Sequence, residues 1–257
     1  MDRTADTIVI NGDIRTMDGL HPRAIALAMA GERILAVGSD EDMRALAAPG
    51  ARVIDAQGRL VLPGFQDTHL HLQDSGADRA LFADLEGART VEELQQRLAA
   101  SGKKRKSEWI RGVGWYSGVF GEHNLSRHVL DKVSIDRPIF IYASDGHSAA
   151  LNSRGLEMLG LGAQSPDPEN GYFVREKDGS LQGLVYEDAI GWVRERMPKL
   201  TDEEYAQGVR HAQSLCNRHG ITGVLDALVA ERHMRVYKLL DDAGELTVRI
   251  AATAKVM

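Results

Sequence analysis

The sequence predicts an α/β protein, with a small β unit of about sixty residues ahead of parallel βα repeats. Three observations carry that expectation. Short apolar runs broken by Asn11-Gly12 and Ala30-Gly31 fill the first sixty residues. From Gly64 onward, apolar runs of strand length alternate with helical patterns. The helical patterns carry their own start and stop signals, which places the strands between them.

The elements follow in order. "TIVINGDIRTM" holds Asn11-Gly12, a strong short hairpin signal because a type I′ turn needs positive φ at both central residues. "AIALAMAGERILAVG" repeats the arrangement around Ala30-Gly31, and "DEDMRALAA" reads as a short helix. A strand in "RVIDAQGRLVL" then leads to Pro63-Gly64. Later strands are expected at 65–72, 109–113, 139–143, 221–225 and 246–252. Thr90 with Glu93 and Thr201 with Glu204 have capping-box spacing, each offering partners to the orphan amides of a helix start. Gly220 and Gly244 stand where helices end. "GYFVREKDGSLQGLVYE" reads as a hairpin turning at Asp178-Gly179, an insertion near 171–186.

Composition narrows the function. The 257 residues are 43% hydrophobic and 26% charged, which is globular rather than disordered. A net charge of −6 argues against a general nucleic-acid binder, whose phosphate contacts require a basic surface. The run Lys103-Lys104-Arg105-Lys106 reads as a solvated segment after a helix, where cations suit the dipole. One cysteine, Cys216, excludes an internal disulfide and is expected in the core. Neither a signal peptide nor an apolar run of membrane-spanning length is visible, so a cytoplasmic protein without membrane partners is expected.

The chemistry concentrates in "QDTHLHL", residues 66–72. In a strand, side chains alternate, so Asp67, His69 and His71 share one face. Two imidazoles at that spacing can share a cation, or can be two ordinary hydrogen-bonded histidines. Asp67 is positioned to act behind a ligand histidine as its hydrogen-bond partner. Other candidates carry two readings each. His147, in "DGHS" after a strand, orients substrate or merely caps the next helix. Trp115 lines a pocket wall or fills the core. Asp226 ends a strand on the presumed active face and contacts substrate, or is structural. Glu187 faces the site or is a solvated residue at a helix start.

"VLPGFQDTHLHL" resembles the first barrel strand of the amidohydrolase superfamily, with its pattern PGF-x-D-x-H-x-H. "RHVLDKVSIDRPIFIYASDGHSAALNSRGLEMLGL", the following "SPDPENGYFVREKDGSLQGLVYEDA" and the "GVGW" at 112–115 resemble the YtcJ-like members, amidohydrolase family 3. The resemblance implies a (β/α)8 TIM barrel, with residues 1–62 giving the N-terminal part of a small composite β-sandwich and 63–257 the first part of the barrel. It implies a divalent metal, zinc foremost, as one or two ions at the C-terminal ends of the strands, with His69 and His71 as the first-strand ligands. The implied activity is hydrolysis of a non-peptide C–N bond in a small-molecule amide through a metal-bound hydroxide. The other readings are a heterocycle deaminase and a non-catalytic binding or assembly module on the same scaffold.

The count of parts falls short of that family plan. A (β/α)8 barrel takes about 250 residues, and five strands are expected here instead of eight. A catalytic zinc needs about three protein ligands. Beyond His71, the histidines 123, 128, 147, 211, 219 and 233, and Lys255, match none of the family's later metal motifs. The expectation is therefore the N-terminal half of an amidohydrolase, with an unpaired strand edge that favours homo-oligomers.

Overall fold

A computed structural model describes residues 4–105, 107–120 and 124–254. The chain divides into two compact units, Met1–Phe65 and Gln66–Met257.

The first unit contains two small sheets. Its strands are β1 (Ala5–Ile10), β2 (Asp13–Arg15), β3 (Arg23–Ala24), β4 (Ala26–Ala30) and β5 (Arg33–Gly38), followed by helix α1 (Asp40–Leu46), β6 (Ala47–Asp55) and β7 (Leu60–Val61). One sheet has the order β5-β4-β1-β6 and the other β3-β2-β7. Ile8, Ile10, Ala26, Ala28 and Met43 form the core under the larger sheet. The β4–β5 hairpin turns at Gly31, with Ala30 opposite Arg33. Asn11-Gly12 does something different from the expected hairpin. β1 pairs with β4 and β6, whereas β2 pairs with β3 and β7, so the dipeptide is a corner between sheets. Asn11 takes the left-handed conformation, φ 52°, but Gly12 does not, so no type I′ turn forms. The Gly12 amide instead donates to Ile25 O at 2.8 Å, a long-range partner that local turn chemistry does not reveal.

The second unit begins with β8 (Phe65–Leu70), α2 (Leu72–Leu81), β9 (Ala83–Asp84), α3 (Val91–Lys104) and β10 (Ile110–Trp115). It continues with α4 (Arg127–Asp131), β11 (Ile139–Ala143), β12 (Ser148–Leu151), α5 (Ser153–Met158), β13 (Gly171–Arg175) and β14 (Leu181–Glu187). It ends with α6 (Asp188–Arg196), α7 (Asp202–Arg218), β15 (Ile221–Val229), α8 (Glu231–Asp242) and β16 (Arg249–Ala254). Thr201 and Glu204 close a full capping box on α7. Thr90 makes only half of one, accepting from the Glu93 amide while the Glu93 carboxylate accepts from Arg89.

The five expected strands do not share one sheet. β8, β15 and β16 form a three-stranded sheet, order β16-β15-β8, with β15 and β16 parallel. β10 and β11 belong to a separate six-stranded sheet, order β13-β14-β12-β11-β10-β9. That sheet is parallel from β9 to β11 and antiparallel from there to its β13–β14 edge hairpin. Alternation along β11 explains its burial on both faces. Ile139 and Ile141 pack with Leu94, Leu98 and Leu130 of α3 and α4. Phe140, on the other face, packs with Leu156, Ile190 and Val193 of α5 and α6.

The three-stranded sheet has one covered face. Leu70 and Val224 lie against a core built by α2, α7 and α8, including Leu81, Val209, Val236 and Leu240, with Cys216 buried among them. Helices α2 and α7 approach closely because both carry small residues where they cross, Gly76 and Ala77 against Gly208 and Ala212. Among the described residues, no helix is long and apolar enough to cross a membrane.

Candidate metal centre

Strand alternation sets the histidine pair. Leu70 turns into the helix-side core, so His69 projects from the opposite, uncovered face and is exposed. β8 ends at Leu70, and His71 is the residue at the N-cap of α2, with φ −115° and ψ 74°. The two rings meet edge to face, with centroids 5.6 Å apart and planes at 79°. Imidazoles sharing one tetrahedral ion through bonds of ~2.0–2.1 Å have ring centres about 5 Å apart. The observed pair therefore fits a shared ion with side-chain rotation alone.

A long-range contact decides the His71 tautomer. Its Nδ1 lies 3.1 Å from the carbonyl oxygen of Ala227, 156 residues away on β15. A carbonyl only accepts, so Nδ1 is the donor in this contact and Nε2 is the nitrogen left out of it. In metal sites, bonds of this kind orient the histidines that serve as ligands. The Ala227 carbonyl is free for it because β15 bulges there. The register with β16 shifts between Asp226 and Val229, and Leu228 adopts φ 61°. Asp226 anchors the same place from beneath. It is buried, and its Oδ1 accepts from the Leu72 amide at 3.1 Å while Oδ2 accepts from the Tyr237 hydroxyl. Burial, and after it the hydrogen bond to the Asp226 carboxylate, push the Tyr237 phenol far above its ordinary pKa. The first turn of α2 is thereby tied to β15 immediately after His71.

Other predicted residues are placed as follows. Asp67 Oδ1 accepts from the backbone amide of His69 at 3.0 Å, so it fixes the strand end rather than an imidazole. Trp115 is 1% exposed and packs edge to face on Phe120, which makes it core and removes it from any pocket wall. Asp226 likewise has both oxygens bonded within the protein, and what remains to it is positioning. His147 and Glu187 meet, with Nδ1 3.1 Å from Oε2, and both are exposed. The carboxylate raises the His147 pKa. Glu187 sits at φ 53°, a conformation rarely adopted by residues with a side chain. Asn152 caps α5 through the Gly155 amide, and its buried side chain also bonds Ile139 N, Ser134 O and Arg137 O.

Among the described residues, no group of three or more His, Cys, Asp or Glu could hold a metal. His128, His211 and His219 are exposed on or beside helices, and His233 is buried on α8. His123, Lys106 and Lys255 lie outside the described residues. Among the described residues, the candidate donors are thus two, against the about three protein donors that a catalytic zinc requires. Sequence reasoning found both histidines but missed Ala227. A backbone carbonyl leaves no residue-type signal, and only the bulge at Leu228 brings it there.

The amidohydrolase family profile matches residues 52–257. The N-substituted formamide deformylase of Arthrobacter pascens is 29% identical over 253 residues, covering 96% of this chain and 47% of that protein. The protein YtcJ of Bacillus subtilis (strain 168) is 30% identical over 179 residues, 68% of this chain and 33% of its own length. The solved structure of an uncharacterized metal-dependent hydrolase from Pyrococcus horikoshii OT3 superposes with a TM-score of 0.75 at 28% identity. It covers 96% of this chain and 48% of that one. The chain spans about half the length of these relatives, or less.

Proposed function

This chain belongs to the amidohydrolase family, and we propose that it carries the opening half of a metal-dependent hydrolase of non-peptide C–N bonds. β8, β15 and β16 are then three successive barrel strands, since β15-α8-β16 is a parallel βα unit and β8 is hydrogen-bonded beside it. The six-stranded sheet, residues 83–187, is an excursion between the first two of these strands rather than part of the barrel wall. This departs from a count of five barrel strands, and it leaves more of the barrel to residues beyond those described.

The observation that carries the reading is the His71–Ala227 bond, which engages Nδ1 and leaves Nε2 out of it, on a ring whose centre lies 5.6 Å from that of His69. A divalent ion held there, zinc foremost, supplies Lewis acidity toward a substrate carbonyl and lowers the pKa of bound water. The chain's own residues hold and orient. His69 and His71 donate nitrogen lone pairs, the Ala227 carbonyl fixes the His71 tautomer, and Asp226 with Tyr237 locks the helix start behind it. The remaining ligands and the acid/base group come from the longer protein. The substrate is a small amide, with an acyclic N-acyl or N-formyl amine ahead of an aminated heterocycle.

The test is metal stoichiometry on the size-fractionated 257-residue chain, with His69→Ala alongside. Wild type should retain zinc after desalting and the variant should lose it. Equal retention by both removes His69 from the site. A second reading, a non-catalytic module on this scaffold, is favoured by the missing third donor. Turnover of N-formyl amines by the full-length enzyme, abolished by His69→Ala, would eliminate it.

A further inference from the structure

A cavity lined by neither histidine of the pair gathers four cationic side chains. It measures about 360 Å³ and opens between helix α2 on one side and β10, β11 and α6 on the other, with α7 and α8 closing one end. Neither His69 nor His71 lines it. Four cations do: Arg111 on β10, Arg194 on α6, Lys199 beyond it and Arg232 on α8. No carboxylate of the described residues lies within 4.0 Å of any of them.

Their protein partners are few. One Arg111 nitrogen donates to Pro198 O at 2.5 Å, and its guanidinium lies 5.3 Å over the Phe82 ring. Arg232 donates to the Tyr205 hydroxyl at 2.5 Å. Lys199 donates to the carbonyl of Arg194, and the Arg194 guanidinium stands 5.9 Å over Tyr142. A guanidinium carries five N–H donors in a planar fork that matches a carboxylate edge. Arg111 and Arg232 are part-buried, and charges withdrawn from water are ordinarily paired. Here most of the donors are unspent.

Three acids also line the cavity, Asp74, Asp78 and Glu195, and none makes an ion pair with these four cations among the described residues. Asp74 is turned to His233 Nε2 at 3.8 Å, and Glu195 lies 4.0 Å from Arg196. Asp78 makes no side-chain hydrogen bond among the described residues, and burial raises its pKa to about 6. Phe82, Phe140, Met197 and Leu200 supply apolar wall between the charged groups. A cavity of a few hundred cubic ångströms with apolar walls and a few convergent polar groups is the usual form of a small-molecule site.

We propose that this cavity binds a small organic carboxylate, with its charge on the forks of Arg111, Arg194 and Arg232 and its apolar body against Phe82 and Phe140. The assignment stands apart from the metal reading, and the two can fail separately.

Calorimetric titration of the metal-stripped 257-residue chain with benzoate, with neutral benzamide as the matched control, tests it. Benzoate should bind at least roughly tenfold tighter than benzamide, because only the anion meets the guanidinium forks. Arg194→Gln and Lys199→Gln, both at exposed positions, should each weaken benzoate by roughly five- to tenfold, with melting temperature preserved. Asp78→Asn should tighten it several-fold by removing the carboxylate that faces the anion. His69→Ala should leave it unchanged. Equal binding of benzoate and benzamide overturns the proposal, as does indifference to both rim substitutions. Binding of inorganic phosphate with none of benzoate overturns the organic-carboxylate assignment.

Discussion

Gly208→Ala tests whether helix packing at α2 and α7 sets the metal centre. A methyl group at Gly208 would sit 2.6 Å from the Cα of Ala77, and one at Gly76 would sit 2.9 Å from both the carbonyl carbon of Gly208 and the Cβ of Ala212. Ordinary carbon contacts are about 3.5–4.0 Å, so α7 must retreat by about 1 Å. The obstacle is backbone, which cannot rotate away. Overpacking costs about 1–3 kcal/mol, against which Ala returns about 0.5–1 kcal/mol of helix propensity. The net expectation is a loss of about 1–2 kcal/mol, a fall of roughly 2–8 °C in Tm for a chain of this size. Gly191→Ala is the control. It lies within α6, and nothing stands within 4 Å of its added methyl. The same substitution there should stabilise by about 0.5–1 kcal/mol. Thermal and urea unfolding of the pair measure both signs. A Gly208→Ala protein that melts at or above wild type refutes the close crossing. Because α2 begins immediately after His71, the same shift should also lower zinc retention.

Three further outcomes follow from other sites. The Asp78 pKa rises from 3.8 to about 6 on folding, so the folded state binds that proton more tightly. Stability is therefore lost as pH rises from about 4 to about 6 and stays lost above that window. Asp78→Asn should gain up to ~3 kcal/mol at pH 7.5, less where solvent screens the charge, and nothing at pH 4. Urea midpoints at both pH values check it, and an equal gain at each would contradict the assignment. Leu228 is 60% exposed and held at φ 61°. Leu228→Gly should cost nothing or stabilise by up to ~1 kcal/mol, the reverse of the usual strand result; a loss above ~1 kcal/mol in thermal melts would dispose of the left-handed bulge. Replacing His71 with Ala should reduce zinc retention as His69→Ala does, measured by elemental analysis after desalting.

Much of the secondary structure was legible because its signals are local. Periodicity located β11 at 139–143 to the residue, and Thr201 with Glu204 marked the start of α7. Pairing was not legible. β10 and β15 look alike as apolar runs after helices, yet one joins the six-stranded sheet and the other lies beside β8. Which strand finds which partner is decided by helix packing, and the deciding residues are small. Gly76, Ala77, Gly208 and Ala212 carry no hydrophobic signal of note, but they let α7 lie against α2 and so bring β15 beside the histidine strand. Asn11-Gly12 failed for the same reason, since the corner it makes answers to Ile25 and not to its neighbours.

The candidate site divides along the same line. His69 and His71 are legible because two imidazoles one residue apart are chemically conspicuous, even though the strand ends at Leu70 and His71 stands at the start of α2. What would orient His71 as the proposed ligand is not conspicuous at all: a carbonyl of an alanine, beside a leucine in a left-handed conformation, on a strand that lies 156 residues away along the chain. That arrangement costs strain at Leu228, and strained residues persist where the surroundings over-determine them. Asp226, Tyr237 and the Leu72 amide are those surroundings. Pairing the bulge with the buried carboxylate places the hydrogen-bond acceptor and the helix start in one rigid piece. The His71 ring is therefore oriented by the fold and not by the metal, and it should hold its tautomer in the metal-free chain. Nitrogen-15 shifts of metal-stripped protein, read at a pH where the His71 ring is neutral, should show its single proton on Nδ1; a proton on Nε2 instead would mean that Ala227 does not orient the ring.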